Sequence, residues 1–528
     1  MLYSESRQGG QKSHSALISL LLAAAALWAF SACHQEPDKA ALAQQRYALN
    51  ARMLTESLGH FVSADSSAAL SDRQLRKYYA DSTHQRIWTS ALLPSHQADS
   101  LLKALRLAVS RAGFSERYFQ LPQIQEDLDS TRHLHVDSLL PAHIERLARI
   151  EYLLSKAYLR FTMGQRYGFM DNPESHFNHL NVRDTSSDGR VLRYREIMHQ
   201  GISQPDSAFA LNALAKASNN EATDYLQACH PASEFYRLLE EKLPETTDAA
   251  SRRRILVNME RCRWQHHNRP GKDEKYVLVN VAAQQLWAVS TDTVFQMRIV
   301  CGTWKTKTPL MKCMMTWMVV NPEWQIPANI VRDEISHHGG DSAYFARHRY
   351  YIYKSSDRNK HINPVEVTSR QLAANLYRVA QERGPGNSLG RIKFPLSNPF
   401  DVYLHDTNNP GAFGRANRAL SHGCVRVQRP FDLACFLLQL TDEREQDRLR
   451  IAIGMQPQGE KEIQWLEENG HDTEKVLNHF GNRRITPPVP VYIVYYTLYP
   501  NPEDNTLQTW GDPYRYDTQI WEHIKPFT

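Results

Sequence analysis

The hydrophobic pattern of this chain changes its period near Lys275. Upstream, apolar residues recur at three- and four-residue steps over 98–111 and 141–163, the spacing of amphipathic helices. Downstream, short runs rich in β-branched and aromatic residues, such as 276–281 and 295–300, are separated by polar turns, which is typical of strands. The two patterns in this order predict the α+β class, with an N-terminal all-helical scaffold domain followed by a mostly β domain, a sandwich or a barrel.

One cysteine and two histidines stand close together in the second half of the chain. His405 directly follows the β-prone run 401–404, and fifteen intervening residues separate it from Ser-His-Gly-Cys at 421–424. A cysteine attacks as the thiolate, and an imidazole can take the thiol proton and return it to a leaving amine. Gly423 has no side chain, so backbone N–H groups can approach an oxyanion. The pattern predicts a cysteine nucleophile with a histidine base. The alternative is a buried cysteine near two surface histidines.

This motif and its surroundings resemble a known family. The spacing His-x15-Ser-His-Gly-Cys resembles that of the L,D-transpeptidases with a YkuD catalytic domain. The resemblance is clear from about 254 to 496, and a weaker helical similarity covers 54–243. It implies a mostly β YkuD-like catalytic domain with a substrate-capping insertion. The segments most similar to the large YcbB-like branch of the family are 321–327, 389–394, 403–407 and 488–492.

The resemblance implies a role for each residue of the motif. Cys424 is expected to be the nucleophile and His405 the general base. Asp406 either orients the imidazole, through its backbone carbonyl or its carboxylate, or is a turn residue. His422 is expected to shape the loop or the oxyanion site rather than act as the base. The remaining expectations are Gly423 at the oxyanion site, Ser421 and Arg426 in substrate binding (a structural salt bridge being the alternative for Arg426), and Arg391 and Lys393 as weaker candidates of the same kind.

The resemblance also implies the reaction and the partners, which are peptidoglycan stem peptides. The donor tetrapeptide would be attacked at the carbonyl of its third residue, a diamino acid, with release of D-alanine. An amine on a second stem would resolve the thioester and give a 3→3 cross-link. Two alternatives stay open. One is a hydrolase, either an L,D-carboxypeptidase or an enzyme that cuts protein–peptidoglycan links. The other is a non-catalytic wall-binding lipoprotein, against which the intact set of His405, Gly423 and Cys424 argues.

Metal and nucleic-acid functions are disfavoured by spacing and charge. His405, His422 and Cys424 include ligand types that Zn²⁺ accepts, and pairs of histidines occur at 266–267 and 337–338. None of the usual spacings of zinc ligands accompanies them, so neither a metal nor another cofactor is expected. The net charge is +5, from 62 basic and 57 acidic residues, and the sequence has no long basic block. A nucleic-acid partner is therefore not expected.

The predicted domains follow from these patterns. They are a lipoprotein signal peptide at 1–33, a helical scaffold domain at 34–250, a catalytic domain at 251–456 and C-terminal helices with a returning strand at 457–528. Continuous helical sequence around 236–264 leaves no room for a separate peptidoglycan-binding domain. The capping insertion spans about 328–385, with a helix predicted at 371–383 and exposed aromatic residues at 344–345 and 350–351. A loop of this length is usually functional.

The N-terminus has the features of an export signal. Arg7 and Lys12 precede an apolar run at 16–30, and Ser-Ala-Cys ends at Cys33, in the order of a signal peptide with its cleavage site. The resemblance of this ending to a bacterial lipobox implies cleavage before Cys33 and lipidation of its thiol. The protein is then expected on the periplasmic side, anchored to a membrane, with the outer membrane as the first choice. The alternatives are an uncleaved anchor and a plain signal peptide.

Five cysteines stay unassigned after Cys33 and Cys424 are given roles. An exported protein permits disulfides, but spacing alone does not fix their pairing. Cys301 and Cys313 flank a predicted hairpin loop, so they either face one another or are buried separately, the second being favoured. Cys435 stands on an apolar helix and is predicted to lie in the core. The other two are Cys229 and Cys262.

We expect the mature protein to begin at a lipidated Cys33. Cells fed a fatty-acid analogue should label the wild-type protein and leave Cys33→Ala unlabelled, because Cys33 is the cysteine at which the lipobox-like sequence ends. Cys435→Ala is the matched control and should label like wild type. Equal labelling of Cys33→Ala and wild type would contradict the prediction.

Overall fold

The computed structural model describes residues 37–81, 83–132, 140–180, 182–185, 191–194, 196–264, 270, 274–469 and 480–528. The predicted signal peptide with Cys33 and the histidine pair 266–267 lie outside the described residues. Contact density divides the described chain into two compact units. The first contains the residues up to Met163, Pro205–His230 and Phe527–Thr528; the second contains Gly164–Gln204 and Pro231–Pro526. This division does not follow the predicted boundary near residue 250.

The first unit is helical, as the three- and four-residue periodicity predicts. Leu147, Ile150 and Leu154 lie along one face of its longest helix and are fully buried. Side-chain caps fix helix starts: the hydroxyl of Ser95 accepts the N–H of Ala98, which satisfies an otherwise unpaired donor of the first turn. The helices before residue 164 are α1 (Pro37–Ala64), α2 (Leu70–Ala80), α3 (His96–Arg111), α4 (Leu121–Arg132) and α5 (Leu140–Tyr167). The end of α5 belongs to the second unit. The chain returns to the first unit with α7 (Ser207–Ser218) and α8 (Ala222–Ala228).

The segment 182–199 is an exception to the predicted all-helical N-terminal region. It contains the antiparallel hairpin of β1 (Val182–Thr185) and β2 (Val191–Tyr194), and β3 (Met198–His199) extends the main sheet of the second unit. Before and after it the chain is helical again, in α6 (Pro173–His179), α9 (Glu234–Lys242) and α10 (Ala249–Arg263). Residues 243–248 separate α9 from α10.

The second unit is built around a closed β-barrel. Its strands run in the order β12-β13-β15-β6-β5-β4-β16-β7, and β7 also pairs with β12, which joins the two ends of the sheet. Closure leaves no free sheet edge at this junction and decides between the predicted sandwich and barrel. The strands are β4 (Tyr276–Asn280), β5 (Gln285–Val289), β6 (Val294–Gly302), β7 (Leu310–Val320), β12 (Ile392–Pro395), β13 (Tyr403–His405), β15 (Val425–Val427) and β16 (Arg483–Val494), with β14 (Ala419–Ser421) beside β6.

The capping insertion has a small sheet and core of its own. Strands β8 (Trp324–Gln325), β9 (Tyr350–Lys354), β10 (Asp357–Ile362) and β11 (Arg378–Gln381) form it in the order β10-β9-β11-β8. Its helical parts are α11 (Ala328–Ile330), continued in π and 3-10 geometry to His338, then α12 (Ser342–His348) and α13 (Ser369–Ala373). Buried apolar residues hold them together: Ile326, Ile330, Val331, Ile335, Phe345, Ile352, Val367, Leu372 and Val379.

Two details of the predicted insertion are wrong. The helix predicted at 371–383 ends at Ala373, because Asn375 adopts a left-handed conformation with φ of 54°, and the chain continues as β11, where Val379 and Ala380 are buried between β8 and β9. Phe345, expected to be exposed, is 1% exposed and belongs to the insertion's core.

The C-terminal region packs on the barrel and supplies one of its strands. The β-prone run beginning at 489 rejoins the sheet as predicted, since β16 lies between β4 and β7. The predicted helical region 460–480 contains a helix up to Asn469, and 470–479 lies outside the described residues. The elements are α14 (Pro430–Leu438), α15 (Glu443–Ala452), α16 (Glu460–Asn469), β17 (Leu498–Pro500), β18 (Leu507–Thr509) and α17 (Tyr516–Ile524).

Cys301, Cys313, Cys424 and Cys435 have free thiols. Cys301 and Cys313 are buried separately, with their Sγ atoms directed at the carbonyls of Val281 and Val491. Cys435 is half-buried on α14 rather than fully in the core. Within the same ranges, no helix combines the length and the apolar character that crossing a membrane requires.

Candidate active site

Two parallel strands bring the residues of the predicted motif together. In β13 and β15, Leu404 pairs with Val425 and His405 with Arg426. Side chains alternate between the two faces of a strand, so His405, Arg426 and the preceding Cys424 share one face. On the other side of β13, Lys393 of β12 pairs with His405 and joins the same face. The sheet thus places the expected nucleophile, the expected base and two cations side by side.

This face forms the floor of a large cleft. The cleft has a volume of about 2120 Å³, larger than the roughly 300–1,000 Å³ of a pocket for one small ligand. Its walls come from the barrel and from the capping insertion, which contributes Arg332, Tyr350, Arg358 and Arg378. The size and the many polar groups suit extended peptides better than a small apolar ligand.

The loop before β15 has a fixed conformation. The Ser421 hydroxyl donates to the carbonyl of Cys424 at 2.6 Å and accepts the N–H of Gly423 at 3.1 Å. Gly423 has φ of 122°, which residues with a Cβ rarely adopt. Ser421 is therefore engaged within the loop, and the N–H of Gly423 is already paired. Among the backbone donors next to the nucleophile, the N–H of Cys424 is the better candidate for an oxyanion.

The Cys424 thiol is neutral in the resting site. Burial raises its pKa above the ordinary value, and the charges of Lys393 and Arg426 oppose this shift without cancelling it. The Sγ atom lies 3.9 Å from the carbonyl oxygen of Asp401, which favours the protonated thiol as a donor.

His405 is neutral as well. Burial lowers its pKa to about 3, helped by the positive charges of Arg426 and Lys393, while backbone groups of Asp406 and Leu389 oppose the shift. The ring is 5% exposed, and its Nδ1 makes no hydrogen bond of ordinary geometry with the part of the chain that the structure describes. The imidazole therefore has a nitrogen available for a proton.

Asp406 is directed away from the imidazole. Its carboxylate accepts the N–H of Arg391 at 2.7 Å, and its backbone N–H donates to Ile392. Gly390, with φ of 64°, passes so close that a Cβ there would lie 2.4 Å from this carboxylate. Asp406 thus fixes the chain next to β12. Any help to His405 comes from its backbone. Arg391 itself donates to the side chain of Asn321.

His422 connects the loop to the insertion. Its Nε2 lies 2.5 Å from Oε1 of Glu334, and both side chains are about half exposed (45% and 53%). Glu334 belongs to the helical segment that follows α11, and both residues line the cleft. His422 is thus turned toward the insertion.

Tyr403 has a place in the site that the sequence analysis did not assign. Its backbone and side-chain groups lie close enough to the Cys424 thiol to lower the pKa of that thiol, and the residue lines the cleft. The Lys393 ammonium lies 4.0 Å from the centre of the tyrosine ring. The signal was present in the sequence: Tyr403 stands two residues before His405, so on a strand the two share a face.

The structure also bears on the metal alternative. Throughout the described ranges, no group of three or more His, Cys, Asp or Glu side chains is arranged to hold a metal ion. His422 pairs with Glu334, while His405 lies among the cations Lys393 and Arg426, which would repel a metal ion.

Comparisons with known proteins agree with this geometry. Residues 274–442 match the model of the YkuD family, described as the L,D-transpeptidase catalytic domain. Residues 73–243 match the model of the Scaffold domain. A protein of Haemophilus influenzae named "Putative L,D-transpeptidase" is 26% identical over 366 residues, which are 66% of this chain and 66% of that protein.

We expect alkylation of Cys424 by iodoacetamide to require alkaline pH. Only the thiolate reacts, so the rate should rise with pH around a midpoint above that of an ordinary cysteine. Arg426→Gln should move this midpoint further up, because it removes a charge that stabilises the thiolate. It should also raise the pKa of His405, since the same charge disfavours the imidazolium. Mass spectrometry of the Cys424 peptide gives the rate.

Arg484→Gln changes an exposed residue of β16 and is the matched control. It should leave the pH dependence of alkylation unchanged. A midpoint that falls in Arg426→Gln, or that stays where it is, would show that this guanidinium does not act on the thiol.

Proposed function

Because the chain carries an L,D-transpeptidase catalytic domain of the YkuD family behind a scaffold domain, we propose that it forms 3→3 cross-links in peptidoglycan through a cysteine acyl-enzyme. The observation that carries the proposal is that Cys424, which directly precedes β15, and His405 of the paired strand β13 line the same cleft of about 2120 Å³.

In the first half-reaction, Cys424 attacks the carbonyl carbon of the third residue of a donor tetrapeptide. The Sγ–C bond forms, and the thiol proton passes to His405. The tetrahedral intermediate then collapses, the C–N bond to D-alanine breaks, and His405 returns the proton to the leaving amine. In the second half-reaction the amine of another stem attacks the thioester carbonyl, forms a C–N bond and loses a proton to His405. The Sγ–C bond then breaks, and His405 returns the proton to the sulfur, which regenerates the thiol. The product is an amide cross-link.

The pKa directions constrain the order of events. Burial raises the pKa of Cys424 and lowers that of His405 to about 3, so a complete proton transfer before attack would create two buried charges. We therefore infer that the proton moves as the Sγ–C bond forms, when the negative charge passes to the carbonyl oxygen. The N–H of Cys424 is the donor placed to receive that charge.

The cations of the site are proposed to bind substrate carboxylates. The Nε of Arg426 is buried and forms no hydrogen bond with the described residues, and burial lowers the guanidinium pKa; both observations support a charge that lacks a full partner in the resting site. Burial also lowers the pKa of the Lys393 ammonium. A peptide carboxylate would supply the missing partner for either cation.

The capping insertion is proposed to act as a lid that controls the fate of the thioester. It lines the cleft and has its own core, and the pair of His422 and Glu334 connects it to the nucleophile loop. Exclusion of water favours an amine acceptor over hydrolysis. Attachment to a membrane through lipidated Cys33 would hold the enzyme near its polymeric substrate and is part of the same proposal.

Cys424→Ala should abolish cross-linking of purified tetrapeptide muropeptides and covalent capture by carbapenems. His405→Ala should lower turnover by about 10²–10⁴-fold, the usual contribution of a general base. Products are identified by mass spectrometry. His422→Ala is the comparison variant and should retain most turnover. Loss of turnover in His422→Ala with full activity in His405→Ala would reverse the assignment of the base.

Opening the lid should shift the products from cross-linked dimer toward hydrolysed stem. Gly339 packs against the backbone of Thr368 and Ser369. A variant that joins Gly339 directly to Ser369 therefore deletes residues 340–368, which are much of the lid, and the two ends that it joins are already close together. Glu334→Gln removes the charge that holds His422 and should cause a smaller shift in the same direction. The measurement is the ratio of dimer to hydrolysed stem.

Asp357→Asn, an exposed change in the same insertion, is the control and should keep the wild-type ratio. An unchanged ratio in both Glu334→Gln and the shortened variant would identify the insertion as scaffold. The same conclusion would follow if the shortened variant unfolds and Glu334→Gln keeps the wild-type ratio.

A further inference from the structure

The loop that carries the nucleophile is held from behind by the turn between β6 and β7. Three threonines of this turn contact the loop. The N–H of Thr303 and the hydroxyl of Thr306 donate to the carbonyl of Ser421 at 3.0 and 2.8 Å. The hydroxyl of Thr308 donates to the carbonyl of Gly423 at 2.8 Å. The backbone before Cys424 is thus fixed at two carbonyl groups.

Thr308 is itself held by a residue from the C-terminal region. The hydroxyl of Tyr514 accepts the N–H of Thr308 at 3.0 Å and donates to the carbonyl of Gly302 at 2.7 Å. The N–H of Gly302 donates to the Thr308 hydroxyl at 2.9 Å. Thr308 is fully buried and Tyr514 is 1% exposed. The hydroxyl proton of Thr308 is therefore directed to Gly423, since its lone pair is already engaged by Gly302.

The bond from Thr308 sets the direction of a second group. In a trans peptide the C=O and the N–H of one unit lie in the same plane and point in opposite directions. The carbonyl of Gly423 and the N–H of Cys424 belong to the same unit. When Thr308 holds that carbonyl, the N–H of Cys424 is turned to the side away from the β6–β7 turn. Gly423, with φ of 122°, lacks the side chain that would otherwise limit rotation of this unit.

We propose that Thr308 and Tyr514 are positioning residues for acyl transfer, which orient the N–H of Cys424 toward the oxyanion. The inference rests on the proposed acyl-enzyme chemistry and deepens it. Tyr514 belongs to the last thirty residues of the chain, in which the sequence shows no catalytic motif. Neither side chain touches the reacting atoms; both act through the peptide unit that joins Gly423 to Cys424.

The test compares two reactions of the same thiol. Acetylation by p-nitrophenyl acetate forms an Sγ–C bond at a carbonyl, passes through an oxyanion and releases p-nitrophenolate, while the thiol proton passes to His405. Alkylation by iodoacetamide forms an Sγ–C bond with loss of iodide and has no oxyanion. A misdirected N–H should slow the first reaction alone, whereas a displaced or unfolded nucleophile slows both.

Thr308→Val should lower kcat/KM for acetylation about tenfold to a hundredfold, somewhat less than the 10²–10³ typical of deleting an oxyanion donor, and leave the alkylation rate and its pH midpoint near wild type. Thr308→Ser keeps the hydroxyl and should restore acetylation. Tyr514→Phe should show a smaller loss of the same kind. Thr497→Val and Tyr492→Phe are matched controls, since each removes a buried hydroxyl that bonds Asp517 or Glu274; both should retain wild-type rates.

A parallel fall of acetylation and alkylation in Thr308→Val and Tyr514→Phe would overturn the proposal, as would unchanged acetylation in both. If Thr308→Val does not fold, the comparison of Tyr514→Phe with Thr308→Ser decides the question in the same way. Failure of the proposed function gives a different result: no cross-linking of muropeptides by wild type, with the selective loss of acetylation still present.

Discussion

The parallel pairing of β13 with β15 is the interaction on which the site depends. Leu404 opposite Val425 and His405 opposite Arg426 put the nucleophile, the base and the guanidinium on one face. A slip of one residue would turn a whole strand over and remove His405 from that face. Closure of the barrel through β7 and β12 opposes such a slip, because β13 is held from its other side by β12, whose own register is fixed at β7.

Burial has opposite effects on the two reacting groups. It raises the pKa of Cys424 and lowers that of His405, so the free site stores no thiolate–imidazolium pair. The cations Lys393 and Arg426 help the thiolate but disfavour the imidazolium. These two cations therefore favour the reaction most when a substrate carboxylate or an oxyanion partly neutralises their charge. We expect such a site to react with small neutral electrophiles mainly at alkaline pH, where the thiolate forms.

The sequence predicts the helical and β regions and the pairing of His405 with Cys424, because periodicity and local motifs survive in one dimension. It did not decide between sandwich and barrel, since closure joins Val320 to Ile392 with no local signal. The predicted helix at 371–383 failed because Asn375 breaks it and β11 gains tertiary pairing with β8 and β9. Tyr403 was recoverable from strand alternation. Thr308 and Tyr514 were not, because their contact spans 206 residues of sequence.

The nucleophile loop is held from two directions, and the two contacts have different consequences. On the cleft side His422 pairs with Glu334 of the insertion through exposed side chains. Exposed pairs of this kind contribute little to stability. On the barrel side the carbonyls of Ser421 and Gly423 are fixed by buried hydrogen bonds from the β6–β7 turn, which are costly to break without replacement. Movement of the insertion can therefore break the weak contact and leave the buried ones intact. In the proposed acyl transfer, access of acceptor and water to the thioester would thus be separated from the geometry of the oxyanion donor, so the same loop would serve both the attack on the donor stem and the resolution by the acceptor.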